Sequence, residues 1–160
     1  MEQVEGKWEV SLPIGKDLGN FSFRFHANDP LENHGISEWH YLEVIETQPP
    51  YISEDLTPSD VSTGGNSTFM IKVTDEYGVS NVTVEHWLNN GVHQFLELIQ
   101  LDHIHWTGDV LLGLEPGRLY YNVTAVDTSG NNYSYRSPVT VLVMDAHPPE
   151  FHSDDFSPYV

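Results

Sequence analysis

The sequence predicts an all-β protein, a two-sheet sandwich arranged in tandem repeats. Three observations lead there: short runs in which apolar and polar residues alternate, clusters of turn-forming residues between them, and a residue pattern that recurs about 98 positions later. The clearest run is Arg118 to Asn131. In it Tyr121, Val123 and Ala125 alternate with Asn122, Thr124 and Val126, the period of a strand with one buried face. Asp127-Thr128-Ser129-Gly130-Asn131-Asn132 then supplies a turn, because Asp and Asn bond their own backbone and Gly accepts a positive φ. Another strand, Tyr133 to Met144, follows at once and completes a β-hairpin.

Composition bounds the answer. A chain of 160 residues with 39% hydrophobic and 12% aromatic residues has enough apolar material for a core, which argues against wholesale disorder. Ten prolines and twelve glycines cut it into short runs, as an all-β fold requires. The 24 acidic residues against 6 basic ones give a charge of −18, a surface that repels nucleic acid and anionic membranes. With no cysteine there are no disulfides, thiolate metal sites or cysteine nucleophiles. No run reaches the length of a membrane span and residues 1–30 lack a signal-peptide core, so any signal or anchor is expected outside this stretch.

Taken in order, Lys7 to Pro13 is a short alternating strand, and Asn20 to Ala27 is another with Phe21, Phe23 and Phe25 on one face. A polar turn from Asn28 to Gly35 leads to a strand from Ile36 to Ile45, and Pro49-Pro50 closes the segment. The same order then recurs: Trp106 answers Trp8, Tyr121 answers Phe23, Val123 answers Phe25, Ala125 answers Ala27 and Asp127 answers Asp29. Pro148-Pro149 answers Pro49-Pro50 with one residue slipped in the hairpin, and Ser153 to Pro158 matches Ser53 to Pro58. Residues 1–48 therefore read as the last three strands of one repeat, 49–147 as a complete repeat, and 148–160 as the first strand of a third.

Within 49–147 seven strands are expected, near Tyr51–Glu54, Ser67–Thr74, Asn81–Leu88, His93–Leu101, His105–Leu112, Leu119–Val126 and Tyr133–Met144. Thr63 to Asn66 and Asn89-Asn90-Gly91 punctuate them. Seven short strands in about 100 residues describe an immunoglobulin-like sandwich. Phe69, Ile71 and Val73 should face Val82 and Val84, with Tyr121, Val123 and Ala125 from the opposing sheet, and Trp106 plugging one end. The first 48 residues lack the sheet they would pack on; a cut through a longer array explains this more simply than strands donated by another copy.

The aromatic-x-V-x-A-x-D-x-x-G-N string from Tyr121 onward resembles the last hairpin of immunoglobulin-like repeats in bacterial and archaeal surface proteins. That resemblance implies a non-catalytic spacer, adhesive or coat element, extracellular and at the cell surface, of archaeal surface-layer type. Its expected partners are neighbouring repeats, other copies of itself and glycans. The alternatives are an accessory or carbohydrate-binding module of a secreted hydrolase, or a strand-exchanging fibre subunit. Gly-x-Ser-x-Gly and His-Glu-x-x-His are both absent, so no motif argues for an enzyme.

Candidate sites follow from chemistry. Asp75 and Glu76 lie in one turn, Asp127 in a second, and Glu46 in the incoming linker; hard oxygen ligands so gathered suit Ca²⁺. The arrangement resembles the interdomain calcium sites of cadherin-like repeats, although the linkers Glu46-Thr47-Gln48-Pro49-Pro50 and Asp145-Ala146-His147-Pro148-Pro149 lack the cadherins' acidic signature. The competing reading is that Asp and Gly simply build the turns. His103 and His105 would share one side of a strand, a weak zinc or nickel signal. Sequons place Asn20, Asn66, Asn81, Asn122 and Asn132 as glycosylation candidates, with Asn122 expected on an exposed face. Trp87 shares the outward face with Asn81, Thr83 and Glu85, where it would form a sugar-stacking platform.

Overall fold

The computed structural model describes residues 2–4, 7–135 and 138–150 and falls into two compact units, Met1–Thr47 and Gln48–Val160. Every element assigned among these residues is a strand. The expected first strand of a third repeat lies, from residue 151 onward, outside the described residues.

The first unit holds β1 (Glu2–Val4), β2 (Lys7–Glu9), β3 (Gly19–Phe23), β4 (His26–Asn28), β5 (His34–Ile36) and β6 (His40–Val44). They form three antiparallel pairs, β1 with β2, β3 with β6 and β4 with β5. Phe21, Phe23 and Phe25 line one face, with Phe23 packed on Phe25 at 5.5 Å and stacked on His40 at 5.2 Å. No described side chain of this unit is fully buried.

The second unit holds β7 (Tyr51–Asp55), β8 (Asp60–Ser62), β9 (Asn66–Thr74), β10 (Val79–Leu88), β11 (Gln94–Glu97), β12 (Ile99–Gln100), β13 (His105–Leu111), β14 (Gly117–Asp127), β15 (Asn132–Ser134) and β16 (Val139–Met144). One sheet runs β12-β13-β9-β7 and the other β11-β10-β14-β16-β8, with β15 also on β14. Strands A-B-E-D facing C-F-G are the immunoglobulin arrangement, and β7, β9, β13 and β12 facing β10, β14 and β16 reproduce it. Alternation explains the core. Phe69, Ile71 and Val73 of β9 meet Val82 and Val84 of β10 and Tyr121, Val123 and Ala125 of β14, all fully buried. Each valine, isoleucine and phenylalanine among them contributes about 1.5–3 kcal/mol by leaving water. β10 and β14 are neighbours in one sheet, with Val84 opposite Val123.

Four features depart from the sequence reading. The stretch His93–Leu101 is two strands on different sheets, β11 against β10 and β12 against β13. Leu98 is buried at the crossover, and its N–H bonds the Val82 carbonyl. Gly108 on β13 leaves the space: a Cβ there would lie 2.8 Å from Leu98 Cδ2 and 3.0 Å from Leu96 Cδ2. The run after Asn131 is broken into β15 and β16. β8, too short to show a period, runs parallel to β16 through Leu142↔Asp60 to Met144↔Ser62. Trp106 also sits within the ladder, opposite Ile71 and Gln100, rather than plugging an end.

The hairpin plan recurs between the units. Ala27 opposite Gly35 becomes Ala125 opposite Tyr133, and Asn28 opposite His34 becomes Val126 opposite Asn132, each 98 residues on. On the other side of the hairpin, Phe23 opposite His40 becomes Tyr121 opposite Val139, so the one-residue slip falls between β5 and β6. The turns match in detail. Asp29 Oδ1 accepts from Leu31 N–H and Asn33 N–H, as Asp127 Oδ1 accepts from Ser129 N–H and Asn131 N–H. Asn33 Nδ2 and Asn131 Nδ2 each donate to the second oxygen. Even the left-handed residue is shared, Glu32 at φ 65° and Gly130 at φ 92°.

Candidate functional site

Two acidic turns meet at one end of the second unit. Asp75 Oδ1 accepts from the N–H groups of Tyr77 and Gly78 at 2.8 and 2.9 Å. The Asp127 turn is tied to it by Thr128, whose N–H bonds Gly78 O at 3.0 Å and whose hydroxyl bonds Tyr77 O at 3.1 Å. The structure thus brings Asp75, Glu76 and Asp127 to one end, beside the start of β7, where Tyr51 pairs with Thr74. Glu46 belongs to the first unit. Asp127 is buried, and its oxygens are engaged by Ser129 and Asn131 as turn-closing acceptors. Among the described residues no group of three or more His, Cys, Asp or Glu is placed to hold a metal.

The histidine pair is not on one strand. His103 lies in the bend before β13 and His105 opens that strand. Asp102 organises the bend: Oδ1 accepts from the N–H groups of Ile104 and His105 at 2.9 Å, and Oδ2 lies 2.8 Å from His105 Nδ1. The Ile104 N–H and the His105 ring together hold the Asp102 carboxyl well below its usual range.

The outer face of the β10–β14 sheet carries a stack of rings. Trp87 is half-buried, with His93 parallel to it at 4.0 Å and 6°, and Tyr120 at 5.8 Å and 13°. His93 Nδ1 lies 2.8 Å from Glu85 Oε1, and Glu85 Oε2 accepts from Asn122 Nδ2 at 3.4 Å. The His93 bond, then the Asn122 bond, holds the Glu85 carboxyl below its ordinary value. Trp87 therefore does not stand as a bare platform, because neighbours of this chain already stack on it. The exposed aromatic of this face is Phe95, directly opposite Glu85. Alternation assigned Trp87 to the outer face; finding its partners required the cross-strand register that sets Trp87 opposite Tyr120.

The sequons separate by exposure. Asn20, Asn66 and Asn132 are exposed, whereas Asn81 and Asn122 are half-buried. Asn122 falls short of the expected exposure because Glu85 takes its amide, and its Oδ1 is buried without a partner among the described residues.

His86, on the inner face of β10, is buried beside Phe69 at a ring distance of 6.0 Å and lines a cleft of about 260 Å³ with Leu88, Val110 and Leu119. Burial disfavours the charged ring and pushes its pKa down from 6.5. The unfolded chain then binds the proton first as pH falls. The stability due to neutral His86 is present above pH 6.5 and is lost as pH drops towards the depressed native value. The expected result is a melting temperature that falls between pH 7 and pH 5, above the range in which Glu85 and Asp102 titrate. His86→Phe should flatten that fall, and an unchanged slope in His86→Phe would exclude His86 as its source.

No family model matches the chain, and no curated protein matches it. Among solved structures it is similar to the titin domains Z1Z2 in complex with telethonin, at 19% identity and a TM-score of 0.44 over 82% of this chain and 63% of that one. A chimeric titin Z1Z2 carrying a decorin-derived KLER peptide is similar at 20% identity and a TM-score of 0.38, over 63% of this chain and 99% of that one. An engineered protein is similar at 23% identity and a TM-score of 0.43; the match spans 62% of this chain and only 20% of that chain. The class rests on the strand order itself: the protein is all-β and its second unit is an immunoglobulin-like sandwich module.

Proposed function

We propose that this chain is a non-catalytic structural repeat of an extracellular cell-surface protein, a spacer or coat element of the archaeal surface-layer or adhesin type. The observation that carries the reading is that the second unit takes in its chain at one end and releases it at the other. Tyr51 enters beside the Asp75 and Asp127 turns. At the far end of β9, Thr63 N–H bonds Met144 O at 2.8 Å and Thr63 Oγ1 lies 3.0 Å from His147 Nδ1. The nine residues of β9 span about 30 Å between those ends, so each such module lengthens a tandem chain by about that much. Pro50, fully buried at the entry, anchors the linker to the module. A charge of −18 supports the same reading by keeping extended arrays soluble and mutually repelling. Exposed sequons at Asn20, Asn66 and Asn132 suit a glycosylated surface.

The test is protease treatment of intact cells of the source organism, followed by mass spectrometry of the released peptides. Recovery of peptides from the second unit, with added mass at Asn66 or Asn132, is the expected outcome. Protection of the chain until the cells are lysed would place it inside and overturn the proposal.

A further inference from the structure

The inner face of β10 carries Val82, Val84, His86 and Leu88, and the histidine stands where a further apolar side chain would pack. Only 6% of His86 is exposed, yet its ring makes no hydrogen bond among the described residues. The buried side-chain atoms left without partners there are Trp106 Nε1 and Asn122 Oδ1, not the His86 nitrogens. The polar edge of the ring therefore opens on the cleft of about 260 Å³ that it lines. That cleft belongs wholly to residues 86–119 of the complete repeat, and Leu88, Val110, Leu112 and Leu119 make its walls apolar. Hydrogen bonds fix its rim. Asn89 Oδ1 accepts from Arg118 N–H at 3.0 Å, and Asn89 Nδ2 donates to Glu115 Oε1 at 3.2 Å. Glycine at 117 leaves room for this side chain, because a Cβ there would collide with Asn89 Oδ1. On the β13 side, Leu112 N–H bonds Gly65 O at 3.0 Å and Gly64 N–H bonds Gly113 O at 2.9 Å.

We propose that this cleft binds a small uncharged phenol, with its ring against the leucines and its hydroxyl on the His86 imidazole. Size sets the first limit. An apolar cavity of about 150 Å³ holds benzene, so the cleft admits one ring with a few further atoms. Charge sets the second. Glu115 at the rim and a net charge of −18 oppose an anion. An ammonium group would lose its water against leucine and valine. Hydrogen bonding sets the third. Burial keeps the His86 ring neutral, with one nitrogen free to accept. A phenol hydroxyl donates to such a nitrogen more strongly than an alkanol does, and with a pKa of about 10 it stays un-ionised at neutral pH.

The probe is para-cresol, titrated into the full 160-residue chain and followed by NMR shifts of the backbone and of the His86 ring nitrogens. Shifts are expected at Leu88, Val110, Leu112 and the His86 ring. para-Cresol should bind about fivefold more tightly than toluene, the reverse of the order that apolar burial alone produces. In His86→Leu both probes should still shift Leu88 and Val110, which shows that the cleft is formed, but toluene should now bind the more tightly. Shifts absent from the cleft at every para-cresol concentration the fold tolerates would overturn the proposal. So would an undiminished preference for para-cresol in His86→Leu. Benzylamine, of similar size but cationic, is the last arm: tighter binding than para-cresol would make the occupant a cation and overturn the proposal as well.

Discussion

Tyr121→Phe is expected to destabilise the second unit by about 1.5–3 kcal/mol, and Tyr121→Ala by about 3–5 kcal/mol. The side chain does two things at once. Its ring, fully buried on β14, packs against Phe69 of the other sheet at 5.0 Å and 60°. Its hydroxyl donates to Asp55 Oδ2 at 2.8 Å, at the end of β7. Burial first, and the Asp55 bond second, push the phenol pKa well above its ordinary value, so the group stays a donor at any physiological pH. Tyr135, raised to about 12 mainly by burial, stays protonated too. The phenylalanine variant keeps the packing and leaves the Asp55 carboxylate one donor short. The alanine variant also opens a cavity in a module whose total stability is about 5–15 kcal/mol. Urea midpoints of the two variants separate these contributions. A Tyr121→Phe variant as stable as the parent would show that the hydroxyl bond adds nothing net.

Asp127→Ala is expected to cost the second unit about 3 kcal/mol, because it leaves the N–H groups of Ser129 and Asn131 and the Asn131 amide without their acceptor. The carboxylate is only 2% exposed, so water does not readily replace it. Asp29 makes the same bonds in the first unit but stands in solvent, where water can take over. Asp29→Ala should therefore have the smaller effect, although the two turns are alike. Amide exchange at Ser129 and Asn131, together with the melting temperature, reads the difference. Equal losses at the two positions would mean that burial contributes nothing to the bond strengths.

Much of this fold was legible in the sequence, for identifiable reasons. β9, β10 and β14 are long enough to display a period of two, and that period assigned Phe69, Val84 and Tyr121 to the core. The repeated hairpin was visible because its turn depends on an Asp and an Asn at a fixed separation, in residues 29–33 and 127–131. β8 was not visible, since its three residues show no period and its partner β16 lies far along the chain. The crossover at Leu98 was hidden because alternation continues through a change of sheet; only the space above Gly108 reveals it. At the candidate site, the sequence located the Asp75 and Asp127 turns together. It offered both a calcium reading and a turn-building one; the choice depends on how each turn closes, and the backbone N–H groups of Tyr77, Gly78, Ser129 and Asn131 bond the two carboxylates. His86 stood in plain alternation with Val82 and Val84, and that pattern marks it as a buried histidine.

The short parallel pairing of β8 with β16 has a consequence for a chain pulled at both ends. Tension drawn through Tyr51 and His147 acts on opposite ends of the second unit and drives β8 and β16 past one another along their length. Leu142↔Asp60, Val143↔Val61 and Met144↔Ser62 are then loaded together, in shear, rather than unzipped one after another. Rupture must break all of them in a single event. A link three residues long thereby becomes a clasp that resists as one unit.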